Sequence, residues 1–153
     1  MSSLSRVLFV CGHNSARSQM AESFLNNMCQ GSMEAKSAGV SVRELNPLAI
    51  EVMREVGIDI SNNLTKEVFA FYRSGERFDA VIGLCDEVHG ERCPIFPGVS
   101  RRIDWNFEDP AAVEGPREEQ LAAMRSSRDQ IRARIEEWCA EVCTKQETVA
   151  APA

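Results

Sequence analysis

Residues 7–24 read VLFVCGHNSARSQMAESF, and this stretch decides the fold. The apolar run Val7–Val10 has the length and composition of a buried strand, and it ends on Cys11. Small and polar residues lead from there to Arg17, after which apolar residues recur at helical spacing. A loop between such a strand and helix lies at the carboxyl edge of a parallel sheet, where open α/β folds bind ligands. The stretch therefore predicts a ligand-binding loop.

This loop carries the groups that a tetrahedral oxyanion needs. Its backbone N–H groups and the dipole of the following helix favour negative charge, and Arg17 offers a planar guanidinium to two oxygens. The same surroundings favour the thiolate form of Cys11, which is a nucleophile. The alternative is an inert structural cysteine, which a polar loop suits poorly. We predict Cys11 as the nucleophile and an oxyanion site made of Gly12, His13, Asn14, Ser15, Ala16, Arg17 and Ser18.

Composition limits the other functional classes. The chain has 153 residues, enough for one domain with its own core. Its net charge of −6, without a basic cluster, argues against nucleic acid as a partner, and no stretch is apolar enough to span a membrane. Residues 1–6 lack the pattern of a signal peptide, so we expect a cytoplasmic protein whose six cysteines are reduced. We also expect a monomer.

The rest of the chain alternates strands with helices, which predicts a parallel sheet covered by helices. Predicted strands cover residues 5–10, 33–38, 78–84 and 100–105, and predicted helices cover 16–29, 47–56, 65–73 and 116–143. These bounds define a single catalytic α/β domain over residues 1–143 and a tail over 144–153 that we expect to be disordered. We expect Cys29, Cys139 and Cys143 to pack against apolar neighbours on their helices, without a role in the chemistry.

Two further cysteines lie near the edge that holds Cys11. The predicted strand 78–84 ends on Cys85, and Cys93 follows eight residues later in a loop. Thiol–disulfide exchange requires each thiolate to reach a sulfur directly, and a loop with two cysteines beside a third suits such a relay. The alternatives are a zinc site with His89, which lacks a close CxxC pair, and ordinary loop cysteines. We predict the relay, and no metal site.

An acidic residue lies at the same edge. Asp109 precedes Pro110 in a loop after the last predicted strand. Chemistry on an oxyanion at a thiolate needs a proton donor for the departing oxygen, and a carboxyl group beside an anion is readily protonated. The alternative is a plain Asp-Pro turn. Taken together with the Cys11 loop, the position favours a general acid.

Several segments together resemble one known family. They are CGHNSARSQMAE, NPLAIEVMREVGIDIS, VIGLC, the Cys93-Pro94 pair and WNFEDPA. Over about residues 5–143 the chain resembles the arsenate reductases that are built on the fold of the low molecular weight protein tyrosine phosphatases. The resemblance implies a four-stranded parallel sheet flanked by helices, with the anion-binding loop near the N-terminus.

The resemblance also implies a reaction. Cys11 attacks arsenate while Arg17 and the loop amides hold the oxyanion, and Asp109 protonates the departing oxygen. Cys85 then attacks the Cys11 adduct and releases arsenite, and Cys93 passes the disulfide to thioredoxin, or to glutaredoxin as the alternative reductant.

Two other functions remain open. The phosphatases of this fold share Cys11, Arg17 and Asp109, so a weak phosphatase side activity is expected. Their acid loop, however, typically continues Asp-Pro-Tyr, where this chain has Ala111. The second alternative is a non-enzymatic protein that binds arsenite or another oxyanion through its thiols, without turnover.

The resemblance raises the question of a bound cation. Potassium-binding members use side chains that match Asn14, Glu22 and Ser37, together with an acidic residue whose position is Lys66 here. A lysine removes one oxygen ligand and adds a competing positive charge. We therefore expect no bound potassium, with the Lys66 ammonium in its place beside Glu22, and no tightly bound cofactor.

Overall fold

The computed structural model describes residues 5–29, 31–84, 101–105 and 107–150, apart from the side chains of residues 101 and 143–150. The described strands are β1 (Ser5–Cys11), β2 (Met33–Gly39), β3 (Ala80–Gly83) and β4 (Arg101–Asp104). They form one parallel sheet in the order β2-β1-β3-β4. The predicted fold class is confirmed.

Within the described ranges, four α-helices accompany the sheet: α1 (Arg17–Met28), α2 (Pro47–Glu55), α3 (Val68–Arg73) and α4 (Arg117–Ala150). α2 begins as its sequence predicts, because the Asn46 side chain accepts a hydrogen bond from the Leu48 N–H (2.9 Å) and Pro47 occupies the first turn. α4 packs against both α1 and α2. Each predicted helix and strand is present, with its bounds shifted by a few residues.

The apolar run of β1 fills the centre of the sheet. Leu8, Phe9 and Val10 are fully buried, because β1 is an inner strand between β2 and β3 and α1 packs against the sheet. The register sets Val10 opposite both Ala38 and Gly83, so the three strands end level with one another. The loop after β1 therefore opens at the carboxyl edge, as predicted.

The last helix is longer than its apolar pattern indicates. Its buried face includes Leu121, Met124, Ile131, Ile135 and Trp138. The helix continues to Ala150, into the segment predicted as a disordered tail, because no glycine or proline interrupts the sequence before Pro152. Within the described residues, no helix is both long and apolar enough to cross a membrane.

Cys29 and Cys139 form a disulfide, which corrects the expectation that both pack as reduced thiols. Cys29 follows the last turn of α1 and Cys139 lies on α4, with 6.6 Å between their Cα atoms. The two residues are 110 positions apart, so nothing local in the sequence indicates that they meet. Among the cysteines whose side chains are described, Cys11 is the free thiol.

Candidate active site

The loop between β1 and α1 has a shape that depends on two residues. Asn14 has a φ of 54°, in the left-handed region that asparagine tolerates better than most residues. Gly39, at the end of β2, lies against the loop, and a Cβ there would sit 2.7 Å from the Asn14 nitrogen. The missing side chain at position 39 therefore lets the neighbouring strand approach the loop closely.

The Cys11 sulfur lies at the base of this loop, and only 2% of the residue is exposed. It lies 3.2 Å from the Asn14 backbone N–H, which donates to it, and 2.8 Å from the Ser18 Oγ. Both contacts come from the loop and the first turn of α1. Both contacts hold the sulfur at the base of the loop, where it can act as a nucleophile.

The direction of the Ser18 hydroxyl follows from its second partner. The Asn14 side-chain Nδ2 donates to the Ser18 Oγ at 2.8 Å. A hydroxyl carries one proton, and here the oxygen already accepts a hydrogen bond, so its own proton is left for the Cys11 sulfur. Asn14 therefore acts on the sulfur twice, through its backbone and through Ser18.

Arg17 and Asp109 face each other across the site. Arg17 is 7% exposed, and its Nη1 donates to the Phe107 carbonyl oxygen at 2.9 Å. Its Nη2 lies 3.9 Å from the Asp109 Oδ2. The other Asp109 oxygen accepts the Ala111 N–H at 2.9 Å and caps a short 3-10 turn over Pro110–Ala112. Asp109 thus stabilises the turn with one carboxylate oxygen and places the other beside the Arg17 guanidinium.

A cavity of about 500 Å³ joins these groups. Of the predicted site residues, its walls include Cys11, His13, Ser15, Ala16, Arg17 and Asp109. Gly12, Asn14 and Ser18 do not line it; Asn14 and Ser18 are fully buried behind the wall. A thiol, a guanidinium and a carboxyl group around one cavity can bind a tetrahedral oxyanion, attack it and protonate a departing oxygen.

Sequence reasoning missed part of the wall. Arg43 and Glu44 also line the cavity, and Arg43 donates its backbone N–H to the His13 carbonyl at 3.1 Å. A usable signal exists, because both residues follow β2 and loops after parallel strands meet at one sheet edge.

Lys66 and Glu22 lie on the other side of the loop. The Lys66 Nζ is 3.9 Å from the Glu22 Oε1 and donates to the Leu64 carbonyl at 2.8 Å. The Lys66 backbone N–H donates to the Asn14 Oδ1, also at 2.8 Å. Burial raises the pKa of Glu22, while Lys66 and the neighbouring Ser37 lower it to a smaller extent. Burial likewise lowers the pKa of Lys66, and the Glu22 charge opposes this.

The predicted relay cysteines Cys85 and Cys93, and His89 between them, lie outside the described residues. β3 runs beside β1 toward position 85, and the Leu84 N–H donates to the Val10 carbonyl at 2.9 Å. No cluster of three or more histidine, cysteine or acidic residues suited to a metal ion occurs in the part of the chain that is described.

The fold and this site define a class of protein. Residues 6–148 match the family described as low molecular weight phosphotyrosine protein phosphatase, and the chain belongs to that family. Among similar proteins, an arsenate reductase of Shouchella clausii is 38% identical over 132 residues, which cover 86% of this chain and 93% of that protein.

Solved structures agree with this placement. An arsenate reductase in the reduced state has a TM-score of 0.73 at 34% identity, and the match covers 91% of this chain and 99% of that one. The thioredoxin-dependent arsenate reductase of Corynebacterium glutamicum has a TM-score of 0.71 at 29% identity, over 94% of this chain and 64% of that one. A tyrosine phosphatase of Erwinia amylovora, at 16% identity over 92% of this chain and 94% of its own, shares the fold with a TM-score of 0.73. The fold alone therefore does not separate reduction from phosphate-ester hydrolysis.

Proposed function

We propose that this protein is an arsenate reductase that uses a thiol relay recycled by thioredoxin. The observation that carries the proposal is the free Cys11 thiol at the base of a cavity shared with Arg17 and Asp109. The naming of the similar proteins as arsenate reductases supports arsenate as the substrate. A cytoplasmic location and a monomeric state belong to the same proposal.

The first step forms a covalent adduct. The Cys11 thiolate attacks the arsenic of arsenate, and one arsenate oxygen leaves as water after protonation, in part by Asp109. Arg17 has one N–H engaged with the Phe107 carbonyl and directs its remaining donors to the oxyanion. Arsenic stays pentavalent in this step.

The second step is the reduction. The Cys85 thiolate attacks the Cys11 sulfur, the sulfur–arsenic bond breaks, and its electron pair stays on arsenic, which leaves as arsenite. The resulting Cys11–Cys85 disulfide is attacked by Cys93, which regenerates the Cys11 thiolate and leaves a Cys85–Cys93 disulfide. The dithiol of thioredoxin, or of glutaredoxin as the alternative, reduces that disulfide and is itself oxidised.

The test is arsenate-dependent turnover with thioredoxin, thioredoxin reductase and NADPH, run beside a glutaredoxin and glutathione system. We expect turnover in the first system, complete loss in Cys11→Ser, and loss of multiple turnover in Cys85→Ser and Cys93→Ser. Aryl phosphate hydrolysis is the control, because it needs Cys11 and not the other two. Arsenate turnover that persists in Cys11→Ser, or hydrolysis that falls in parallel in all three variants, would contradict the relay.

Phosphatase activity is the second candidate, favoured by the shared Cys11, Arg17 and Asp109. The cavity wall weighs against it as the main reaction: its described lining contains no Phe, Tyr or Trp, and alanines occupy positions 111 and 112. An aryl ester therefore meets no phenyl, phenol or indole ring among the described wall residues. Stoichiometric binding of arsenite without turnover would instead support the non-enzymatic alternative.

We further propose that the residues matching the potassium site of other members, Asn14, Glu22, Ser37 and Lys66, do not hold potassium in this chain. The Lys66 ammonium lies 3.9 Å from Glu22, where it already supplies a positive charge. The Asn14 Oδ1 is engaged by the Lys66 N–H and by Gln19, which leaves less capacity for a cation. These residues do not fit potassium, so no step of the reaction passes through it.

A further inference from the structure

Gln19 is a fully buried polar residue on the first turn of α1. Its Nε2 lies 3.2 Å from the Asn14 carbonyl oxygen, 3.1 Å from the Asn14 Oδ1 and 3.0 Å from the Leu64 carbonyl oxygen. Its Oε1 accepts a hydrogen bond from the Asn63 Nδ2 at 3.1 Å. The nitrogen thus faces only acceptors and the oxygen faces a donor, so the partners define which way the amide points.

The amide of Asn14 is oriented in the same way. Its Oδ1 faces two donors, the Lys66 backbone N–H and the Gln19 Nε2. A backbone N–H only donates, so the atom that faces it must be the oxygen, and the Asn14 Nδ2 must face Ser18. If the Asn14 amide turned over, two donors would face its nitrogen, and Ser18 would lose its donor.

We propose that Gln19 is a positioning residue for the nucleophile, acting on Cys11 through Asn14 and Ser18. The Gln19 amide holds both the left-handed backbone and the side chain of Asn14. Asn14 in turn directs the single Ser18 proton to the Cys11 sulfur. Gln19 does not touch the cavity, so its effect is on the readiness of the thiolate and not on oxyanion binding.

The inference rests on Cys11 as the nucleophile of the proposed function, and its test uses a reaction that needs no arsenate. The rate of Cys11 alkylation by iodoacetamide is measured against pH in the full chain, with the Cys11 peptide identified by mass spectrometry. In Gln19→Leu, Asn14 loses its support and the Ser18 hydrogen bond to the Cys11 sulfur is weakened but not removed. We therefore expect the pH midpoint of alkylation to rise by roughly half to one unit, which is part of the effect of losing one hydrogen bond to a charged group. The phosphate concentration that protects Cys11 from alkylation should stay within about threefold of the wild-type value, because Arg17 is unchanged.

Asn26→Leu is the matched control. Asn26 is also an amide on α1, and it binds the Ala35 backbone with hydrogen bonds of 2.7 Å and 3.0 Å, away from the loop. We expect this variant to lose stability without a change in the alkylation midpoint. An equal midpoint shift in Asn26→Leu would mean general loosening of the helix, and would overturn the inference.

Asn63→Ala is the second variant, and it decides the matter if Gln19→Leu does not fold. It keeps the Gln19 side chain and removes the donor that fixes its direction. We expect a smaller midpoint shift of the same sign. If the folded variants of Gln19 and Asn63 both keep the wild-type midpoint, Gln19 is purely structural. If the midpoints shift as expected while arsenate is not reduced, the proposed function fails and the positioning role stands.

Discussion

The charge on Lys66 offers the sharpest test of how this site is built. Lys66→Met keeps the length of the side chain and removes the ammonium that lies 3.9 Å from the Glu22 Oε1. At an effective dielectric near 20, two unit charges at that distance attract by about 4 kcal/mol. The Lys66 side chain is 28% exposed, so solvent screening reduces this to about 2 kcal/mol.

The loss should depend on pH in a defined direction. The pKa of Glu22 lies above its usual 4.5, so the folded state holds the proton of Glu22 more tightly than the unfolded state does. The stability that this proton contributes is fully present below pH 4.5 and is lost as the pH rises through the pKa of the folded state. Without Lys66 that pKa rises further, because the nearest opposing charge is gone. We therefore expect little difference between wild type and Lys66→Met at pH 4.5, and a loss approaching about 2 kcal/mol at pH 8.

The assay is urea unfolding across this pH range, in potassium and in sodium at matched ionic strength. Lys36→Met is the matched control, since Lys36 carries the same charge and has a smaller influence on the pKa of Glu22. Wild type should respond equally to both cations, and Lys66→Asp should gain a response to potassium in stability and in arsenate turnover. A wild type stabilised by potassium alone, or a Lys66→Met loss that does not grow with pH, would refute the reasoning.

Three further predictions concern Asp109, Arg17 and the disulfide between Cys29 and Cys139. Asp109→Asn keeps an oxygen that accepts the Ala111 N–H and removes the carboxyl proton, so we expect kcat for arsenate to fall by roughly 10²–10⁴-fold with little change in KM. A loss under about tenfold would mean that Asp109 only stabilises the turn. Arg17→Lys loses the planar fork and should lower kcat/KM by about 100-fold and weaken phosphate inhibition, and wild-type values would count against bidentate binding. Joint replacement of Cys29 and Cys139 by serine removes a cross-link over 110 residues and should lower the free energy of unfolding by up to about 4.7 kcal/mol; reductant should then destabilise only the wild type in urea unfolding.

Local patterns predicted most of the fold. The apolar run before Cys11, the asparagine cap and proline at α2, and the apolar stripe of α4 each depend on neighbours within a few residues. The sequence pattern places the end of α4 too early, because the apolar stripe stops before the helix does and Pro152 is the first strong helix stop in the sequence.

The sequence predicts the residues of the loop and places Asp109 and Lys66 near it, but it does not predict the contacts that support the loop. The loop from Gly12 to Ser18 follows from one stretch of chain, whereas its supports come from far away. The contact of Lys66 with Asn14 joins residues 52 positions apart, and the Arg17 contact with Phe107 spans 90. Such pairings depend on how the sheet edge brings separate loops together, and a single sequence carries no record of them.

The support that Arg17 receives from the Phe107 carbonyl has a consequence for engineering. The strand–loop–helix segment is contiguous and looks portable, yet transplanting it onto another α/β scaffold would leave a buried guanidinium without its acceptor. The graft would also lack the Leu64 carbonyl that Gln19 needs and the Lys66 N–H that Asn14 needs. A working transplant must therefore carry the strand–loop–helix segment together with two further pieces of backbone, residues 64–66 and Phe107, in their mutual geometry. The smallest transferable unit is thus a set of loops at the carboxyl edge of the sheet.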